Sequence, residues 1–244
     1  MKKIYGLLGR DIEYSFSRNY FNTKFETENI ASHYVNFDLK DLNTFKSKVL
    51  NTPNLSGINV TIPYKEEVIS YLDKLDNQAK AIGAVNVIKL EKDGTLTGYN
   101  SDCYGFKQAL LPLIEKKPKK ALILGTGGAS KAVAYSLKEL GIDYKYVSRT
   151  VKKNQYTYEN LTEEIIKDHL LLINTTPLGT YPKIETCPNI PYQFLTEEHM
   201  LFDLVYNPSQ TEFLKRGLNK GAKIRNGDQM LVLQAERAYE IWEQ

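Results

Sequence analysis

The run Gly125-Thr126-Gly127-Gly128-Ala129-Ser130 constrains this chain more than any other stretch. Lys120-Ala121-Leu122-Ile123-Leu124 before it reads as a buried strand. After it, Ala129, Val133, Leu137 and Leu140 recur at helical spacing, and Gly141 supplies a stop. The glycines therefore sit between a strand and a helix start. Gly125 suits turn angles closed to other residues, and Gly127 lets the backbone approach a ligand. The unpaired N–H groups of the helix start then face a phosphate. Asp143-Tyr144-Lys145-Tyr146-Val147 reads as the next strand and completes a βαβ unit. A glycine turn kept only for packing is the competing reading, and the flanks favour nucleotide binding. Ser130 stands where the common fingerprint has a third Gly or Ala.

The end of that second strand selects the nucleotide. An NAD site usually places Asp or Glu there to hold the ribose 2′-hydroxyl. This chain has Ser148-Arg149-Thr150, followed by Lys152 and Lys153. A carboxylate would repel a 2′-phosphate, whereas a guanidinium pairs with it, so NADP is favoured over NAD.

The 244 residues suffice for one large domain or two small ones. With 42% hydrophobic and 25% charged residues, the composition is that of a globular protein, not a disordered one. A net charge of +3 gives no argument for nucleic acid, and no basic run is interleaved with aromatics. Lys116-Lys117-Pro118-Lys119-Lys120 reads as a solvated loop entering a strand. Cys103 and Cys187 lie far apart and show neither metal-ligand spacing nor a disulfide framework, as expected of reduced thiols in a cytoplasmic protein. His33, His169 and His199 stand singly, so no metal site is expected. The apolar stretch after Met1-Lys2-Lys3 is cut at Arg10 and Asp11, too short for a signal peptide, and no run reaches membrane-spanning length.

The rest of the chain alternates strand and helix. Ile4–Gly9 is a strand, and Phe21 and Phe25, with Ile30, mark a helix. His33–Phe37 is a second strand, and Leu42, Phe45, Val49 and Leu50 suit a second helix. Ile58–Ile62 is a third strand, which Pro63 ends while starting a helix through Val68, Ile69 and Leu72. Ala84–Ile88 and Leu96–Tyr99 are strands joined by the hairpin signal Asp93-Gly94. Phe106, Leu110 and Leu113 suggest a linking helix. Leu170–Ile173 and Leu201–Val205 are strands that end in Asn174–Gly179 and Tyr206-Asn207-Pro208, at the ligand-binding edge of an open parallel sheet. Leu231, Ala235, Ala238 and Trp242 stripe a last helix from about Asp228, with Gln234 on or beside the stripe.

Several polar residues stand out. Lys65 falls in the first turn of the helix expected after Pro63, where the dipole disfavours a cation and a lysine can exchange a proton near neutrality. A plain surface lysine is the alternative. Asp102 precedes a helix and is either an N-cap or a site residue. Asn86 interrupts an apolar run, so its amide is paired either in the core or by a ligand. Ser15, Ser17 and Thr61 add hydroxyls at strand ends or loops. The set suits a small polyhydroxylated ligand better than a lipid or a peptide.

These motifs, in this order, resemble the shikimate dehydrogenases, NADP-dependent enzymes of aromatic amino-acid biosynthesis. The resemblance rests on Ser15-Phe16-Ser17, Asn59–Lys65, Gly83-Ala84-Val85-Asn86, Asn100-Ser101-Asp102, Gly125–Ser130, Ser148-Arg149-Thr150, Asn174–Gly179, Asp203–Pro208 and Met230–Gln234, and covers essentially the whole chain. It implies an α/β protein of two domains with a cleft between them. Residues 1–102 plus 228–244 would form a substrate-binding and catalytic domain with a mainly parallel sheet. Residues 103–227 would form a Rossmann-like NADP-binding domain, with the C-terminal helix returning to the first.

The resemblance further implies a catalytic pair, Lys65 and Asp102, and substrate contacts from Ser15, Ser17, Thr61, Lys65, Asn86, Asp102, Tyr206 and Gln234. The cofactor set it implies is Gly125, Thr126, Gly127, Gly128, Ala129, Ser130, Ser148, Arg149, Thr150, Thr175, Thr176, Pro177, Leu204 and Gly227. The reaction would be reversible reduction of 3-dehydroshikimate to shikimate with NADP(H), by a monomer or homodimer without nucleic-acid or membrane partners. Four positions depart from the pattern: Arg18 replaces a Pro, Ser148 an Asn, and Asp228-Gln229 a more apolar, glycine-containing pair. Quinate is the rival substrate. It carries an extra hydroxyl near the carboxylate, and the two serines favour shikimate. A non-catalytic NADP sensor is the rival of another class, which the presence of both Lys65 and Asp102 opposes.

Overall fold

The computed structural model describes residues 2–13, 15–150 and 154–244. The chain divides into two compact units, Met1–Ser101 with Ala235–Gln244, and Asp102–Gln234.

The first unit holds a six-stranded sheet of β1 (Lys3–Gly9), β2 (Ser32–Asp38), β3 (Leu55–Val60), β4 (Lys74–Leu75), β5 (Val87–Leu90) and β6 (Leu96–Tyr99), in the order β2-β1-β3-β5-β6-β4. The β1–β2, β1–β3 and β4–β6 pairs are parallel, and β5 runs antiparallel to both its neighbours. Helices α1 (Phe16–Thr27) and α2 (Asn77–Ile82) belong to this unit. Phe21 and Phe25 are the buried residues of α1. The hairpin expected at Asp93-Gly94 joins β5 to β6, with Gly94 N–H donating to Glu91 O at 2.9 Å.

Several expected elements differ here. Leu42 to Leu50 forms a 3₁₀ turn, Leu42–Thr44, and a π-helical turn, Lys46–Leu50. Leu42, Phe45 and Val49 are still buried, so the apolar spacing fixed the inward face but not the hydrogen-bond ladder. Strand β3 stops at Val60, and Ile62 is 70% exposed. No helix starts at Pro63: residues 62–66 are turns, and a 3₁₀ segment, Glu67–Tyr71, follows. The reason is a tertiary contact. Lys65 O accepts from Val85 N–H at 2.7 Å, so the carbonyl a helix would need is spent on a neighbouring segment. Strand β5 starts at Val87 instead of Ala84.

The second unit holds β7 (Lys120–Leu124), β8 (Asp143–Ser148), β9 (Tyr156–Thr157), β10 (Leu171–Asn174), β11 (Met200–Asp203) and β12 (Lys223–Arg225), parallel throughout in the order β12-β11-β10-β7-β8-β9. Its helices are α3 (Asp102–Leu110), α4 (Gly128–Glu139), α5 (Glu163–Asp168) and α6 (Glu212–Leu218). Along β7, Ala121 and Ile123 join a core with Phe106, Val133 and Leu137, while Leu122 and Leu124 join another with Ile166, Leu201 and Phe213. Both faces are covered, which explains the unbroken apolar runs of the parallel strands. Strand β11 ends at Asp203, two residues before the expected Val205.

The last helix, α7 (Asp228–Glu243), contributes Met230 to the core of the second unit. Its later residues Ala235, Ala238, Ile241 and Trp242 belong to an aromatic core of the first unit with Tyr5, Phe21 and Tyr34. The Trp242 ring stacks on Tyr5 at 4.8 Å, and its Nε1–H donates to Ile88 O at 3.1 Å. It fits because residue 57 is glycine: a Cβ there would lie 2.3 Å from the indole. The α/β class and the Rossmann-like parallel sheet agree with the sequence reading.

Candidate active site

In the first unit, one sheet edge collects the expected polar residues. β1, β3 and β6 end at this edge, and the antiparallel β5 begins there, because Asn59 pairs with Val87 and Val87 with Tyr99. Ser15 and Ser17 follow β1, Thr61 and Lys65 follow β3, and Asn86 directly precedes β5. Thr61 N–H extends the ladder to Leu8 O at 2.9 Å, and the buried Tyr64 donates its hydroxyl to Leu39 O at 2.6 Å. Lys65 is thus half-buried on a backbone fixed from both sides.

A chain of buried amides and hydroxyls runs beneath this edge. Tyr34 OH donates to Asn59 Oδ1 at 2.7 Å, and Asn59 Nδ2 donates to Asn86 O at 3.3 Å. Asn86 Oδ1 accepts Ser101 N–H at 2.6 Å, and Asn86 Nδ2 donates to Ser101 Oγ at 3.0 Å. Asn86 is therefore a paired core residue in this state. Burial holds the Tyr34 phenol well above its ordinary range, with the Ser17 hydroxyl pulling the other way. Among the described residues, Ser15 Oγ is buried without a hydrogen-bond partner. Such an atom is costly unless a ligand completes it.

In the second unit, the expected cofactor residues leave the carboxyl edge of the parallel sheet. The Gly125–Ser130 turn follows β7, and Ser148-Arg149-Thr150 closes β8. Thr175-Thr176-Pro177 follows β10, Leu204 and Tyr206 follow β11, and Gly227 follows β12. Strand order reverses beside β7, which has β8 on one side and β10 on the other, the usual place for a crevice. Gly125 has φ +109, closed to other residues, and a Cβ there would lie 2.8 Å from Thr175 Oγ1 and 2.9 Å from Thr176 Cγ2. The two loops meet at the switch point. Helix α4 starts at an N-cap glycine, Gly127, without a side-chain cap or an acid in its first turn. Ser130 N–H turns back to Gly127 O at 3.0 Å, and a Cβ on Gly127 would meet nothing within 4 Å, so the turn is open where a phosphate would approach the helix start. Ser130 faces inward, donating its hydroxyl to Gly127 O at 2.6 Å, which explains its place in the fingerprint. Ser148 Oγ donates to Thr150 O at 2.5 Å, leaving Arg149 and Thr150 exposed at the strand end. Open space at a helix start without a side-chain cap, with an exposed guanidinium at the end of the adjacent strand β8, fits a phosphorylated dinucleotide. Lys152 and Lys153 lie outside the described residues.

Sequence reasoning missed the group that organises these loops. Asp203, fully buried at the end of β11, accepts from Asn174 Nδ2 at 2.9 Å and from Val205 N–H at 3.0 Å on Oδ1. Its Oδ2 accepts from Thr211 Oγ1 at 2.5 Å. Asn174 Oδ1 in turn accepts from Thr176 N–H and Thr176 Oγ1 at 3.0 and 2.6 Å. Gly227 N–H reaches Val205 O at 3.2 Å. Desolvation raises the Asp203 carboxyl to about 6 against the pull of its three donors. The available signal was a polar residue closing each of two apolar strands, at Asn174 and Asp203.

Asp102 is buried as the first residue of α3, and Gln234 is buried with Nε2 donating to Leu231 O at 2.9 Å. Tyr206 is exposed, although partial burial holds its phenol up. Of the departures, Arg18 donates to Glu13 O at 3.1 Å across the serine loop. Asp228 opens α7, where the helix dipole favours an acid, and Gln229 accepts from Arg225 at 2.9 Å. His169 and His199 bond to backbone carbonyls of residues 165 and 166, a local structural use. Among the described residues, no helix is long and apolar enough to cross a membrane.

The family model described as the shikimate dehydrogenase substrate binding domain matches residues 7–88. A shikimate dehydrogenase (NADP(+)) of Clostridium beijerinckii is 41% identical over 99% of this chain and 92% of its own length. The chain belongs to the shikimate dehydrogenase family. A shikimate 5-dehydrogenase of Thermus thermophilus, solved in complex with NADP(H) and shikimate, is 30% identical with a TM-score of 0.85, covering 98% of this chain and 93% of that one. A quinate dehydrogenase of Corynebacterium glutamicum, solved in complex with NAD, is 25% identical with a TM-score of 0.88, covering 99% and 93%. Family membership thus extends through both units.

Proposed function

We propose that this protein catalyses the reversible NADPH-dependent reduction of 3-dehydroshikimate to shikimate. The observation that carries the reading is the 41% identity, along 99% of the chain, to a shikimate dehydrogenase (NADP(+)). NADPH, when bound, supplies the hydride equivalent that converts the ketone carbon to the alcohol. The N–H groups at the start of α4 would receive its diphosphate, Arg149 would pair with the 2′-phosphate, and Ser130, Ser148 and the Thr175–Pro177 loop would shape the turns around it. Leu204 and Gly227 would lie beside the nicotinamide.

Ser15, Ser17, Thr61, Asn86, Tyr206 and Gln234 hold the hydroxyls and carboxylate of the substrate. The unpartnered Ser15 hydroxyl supports this assignment most directly. Lys65, as the ammonium, donates a proton to the oxygen that gains charge during reduction. In the reverse direction neutral Lys65 accepts that proton from the shikimate hydroxyl. Asp102 accepts a hydrogen bond from the same hydroxyl and orients the lysine. Residues 1–102 with 228–244 are the substrate-binding and catalytic domain, residues 103–227 the NADP-binding domain, and the enzyme works in the cytoplasm.

Incubation with shikimate and NADP+ is expected to produce the absorbance of reduced nicotinamide, with kcat/KM higher on shikimate than on quinate. A preference for quinate would reassign the substrate, and absence of turnover on either acid would remove the enzyme reading. Arg149→Ala is expected to weaken NADPH binding by roughly tenfold or more, because a charge-assisted contact to the 2′-phosphate is lost. Binding of NADH to that variant should stay near wild type. Titration of both cofactors checks this, and equal losses would dissociate Arg149 from the 2′-phosphate.

A further inference from the structure

We infer that Asp38 at the end of β2, helped by Asn36, is a positioning residue for the serine loop between β1 and α1. Neither residue belongs to the substrate set above. The Asp38 carboxylate accepts two consecutive backbone N–H groups of that loop, Asp11 on Oδ1 at 3.0 Å and Ile12 on Oδ2 at 3.1 Å. Asn36 Nδ2 donates to Ile12 O at 2.7 Å. The same Ile12 carbonyl accepts Ser15 N–H at 3.1 Å. A continuous set of hydrogen bonds therefore runs from β2 to the backbone of the residue whose hydroxyl is buried without a partner.

The contact does more than decorate a turn. Asp11 has φ +55, a left-handed conformation that brings the Cβ close to the following carbonyl and carries a steric cost, smaller for aspartate than for most residues. The clamp opposes that cost, since Asp38 receives the Asp11 N–H only when the loop doubles back over β2. Leu39 N–H donates to Gly9 O at 2.9 Å, which fixes Asp38 against the end of β1 where the loop departs. Arg18 ties the far side of the loop through Glu13 O. Ser15 can thus be held in a ligand-ready pose before any ligand arrives, by a carboxylate that touches only backbone. This lowers the ordering cost of substrate binding.

The inference rests on the proposed substrate reading, and two measurements separate them. Amide hydrogen exchange reads the loop whatever the substrate. Ile12 and Ser15 are expected to exchange faster in Asp38→Ala than in wild type, and unchanged exchange would overturn the clamp. In steady-state kinetics, Asp38→Ala is expected to raise the KM for shikimate about tenfold, with kcat and the KM for NADP+ within a small multiple of wild type. Asp11→Gly keeps the N–H and tolerates φ +55, so it should track wild type. Asp11→Pro lacks the N–H and locks φ near −65°, so it should track Asp38→Ala. An unchanged shikimate KM in Asp38→Ala, or parallel rises in both KM values with a lowered Tm, would reduce Asp38 to an ordinary surface contact. A wild-type protein that ignores shikimate but shows the exchange difference would sink the substrate reading and leave the clamp.

Discussion

Replacing Lys65 with alanine is expected to lower kcat by roughly 10²- to 10⁴-fold, the usual contribution of a positioned acid or base. The KM for shikimate should stay within a small multiple of wild type. The structure makes this a clean experiment. The backbone at Lys65 is held by its own carbonyl, which accepts Val85 N–H at 2.7 Å, and by Tyr64, buried with its hydroxyl on Leu39 O. None of these contacts uses the lysine side chain, so the alanine variant keeps each of them. Saturating steady-state rates in both directions provide the readout. A variant turning over at close to the wild-type rate would take Lys65 out of proton transfer and return it to the ordinary surface lysines.

The largest effect on stability is expected at Asp203. Asp203→Ala leaves Asn174 Nδ2, Val205 N–H and Thr211 Oγ1 without their shared acceptor in a buried place. At about 1–2 kcal/mol for each stranded donor, the variant should lose about 3–6 kcal/mol. Asp203→Asn is expected to behave differently. An amide oxygen still accepts from Asn174 and Val205, and the Thr211 hydroxyl can turn to accept from the new NH₂. This variant also lacks the buried charge. The wild-type carboxyl, raised to about 6 by desolvation, keeps its proton in the folded chain after the unfolded chain has lost it near 3.8. Stability therefore falls as pH rises from about 4 to about 6, by up to about 3 kcal/mol, and is level above that window. Tyr192 is the titratable neighbour that feels the Asp203 charge, and burial already keeps its phenol neutral there. Urea unfolding at both ends of the window should show Asp203→Asn gaining on wild type as pH rises. A constant difference between the two would mean that Asp203 titrates normally.

Much of the second unit was legible because its rules are local. Apolar strands with both faces covered, a glycine turn between strand and helix, and an arginine where an acid would serve NAD all lie within a few residues of one another. The first unit was harder to read at the segment that matters most. Nothing near Pro63 in the sequence reveals that Val85 will capture the Lys65 carbonyl, so a helix was expected where turns occur, and the helix-dipole argument for Lys65 has no helix to act through. The π-helical turn at Lys46–Leu50 was hidden for a related reason, since apolar spacing reports the buried face and not the bonding ladder. Asp203 and Asp38 went unread as organisers because each serves loops that only the folded sheets bring to it. Ser15, Ser17, Thr61 and Asn86 stood out as polar residues before the family motifs gave them a shared role, and all four lie at or just beyond one edge of the first unit's sheet.

Gly57 and Trp242 carry a consequence for how the protein is made. The indole fills a notch in a sheet whose strands all precede residue 100, yet it leaves the ribosome after the whole of Asp102–Gln234. At roughly 5–20 residues per second, that delay is on the order of ten seconds. Through this interval the face of the newborn N-terminal sheet that carries Tyr5 and Tyr34 has only α1, through Phe21 and Phe25, to cover it. Nascent chains stalled near residue 234 should therefore engage holding chaperones through Tyr5, Phe21 and Tyr34, and release should coincide with emergence of the tryptophan.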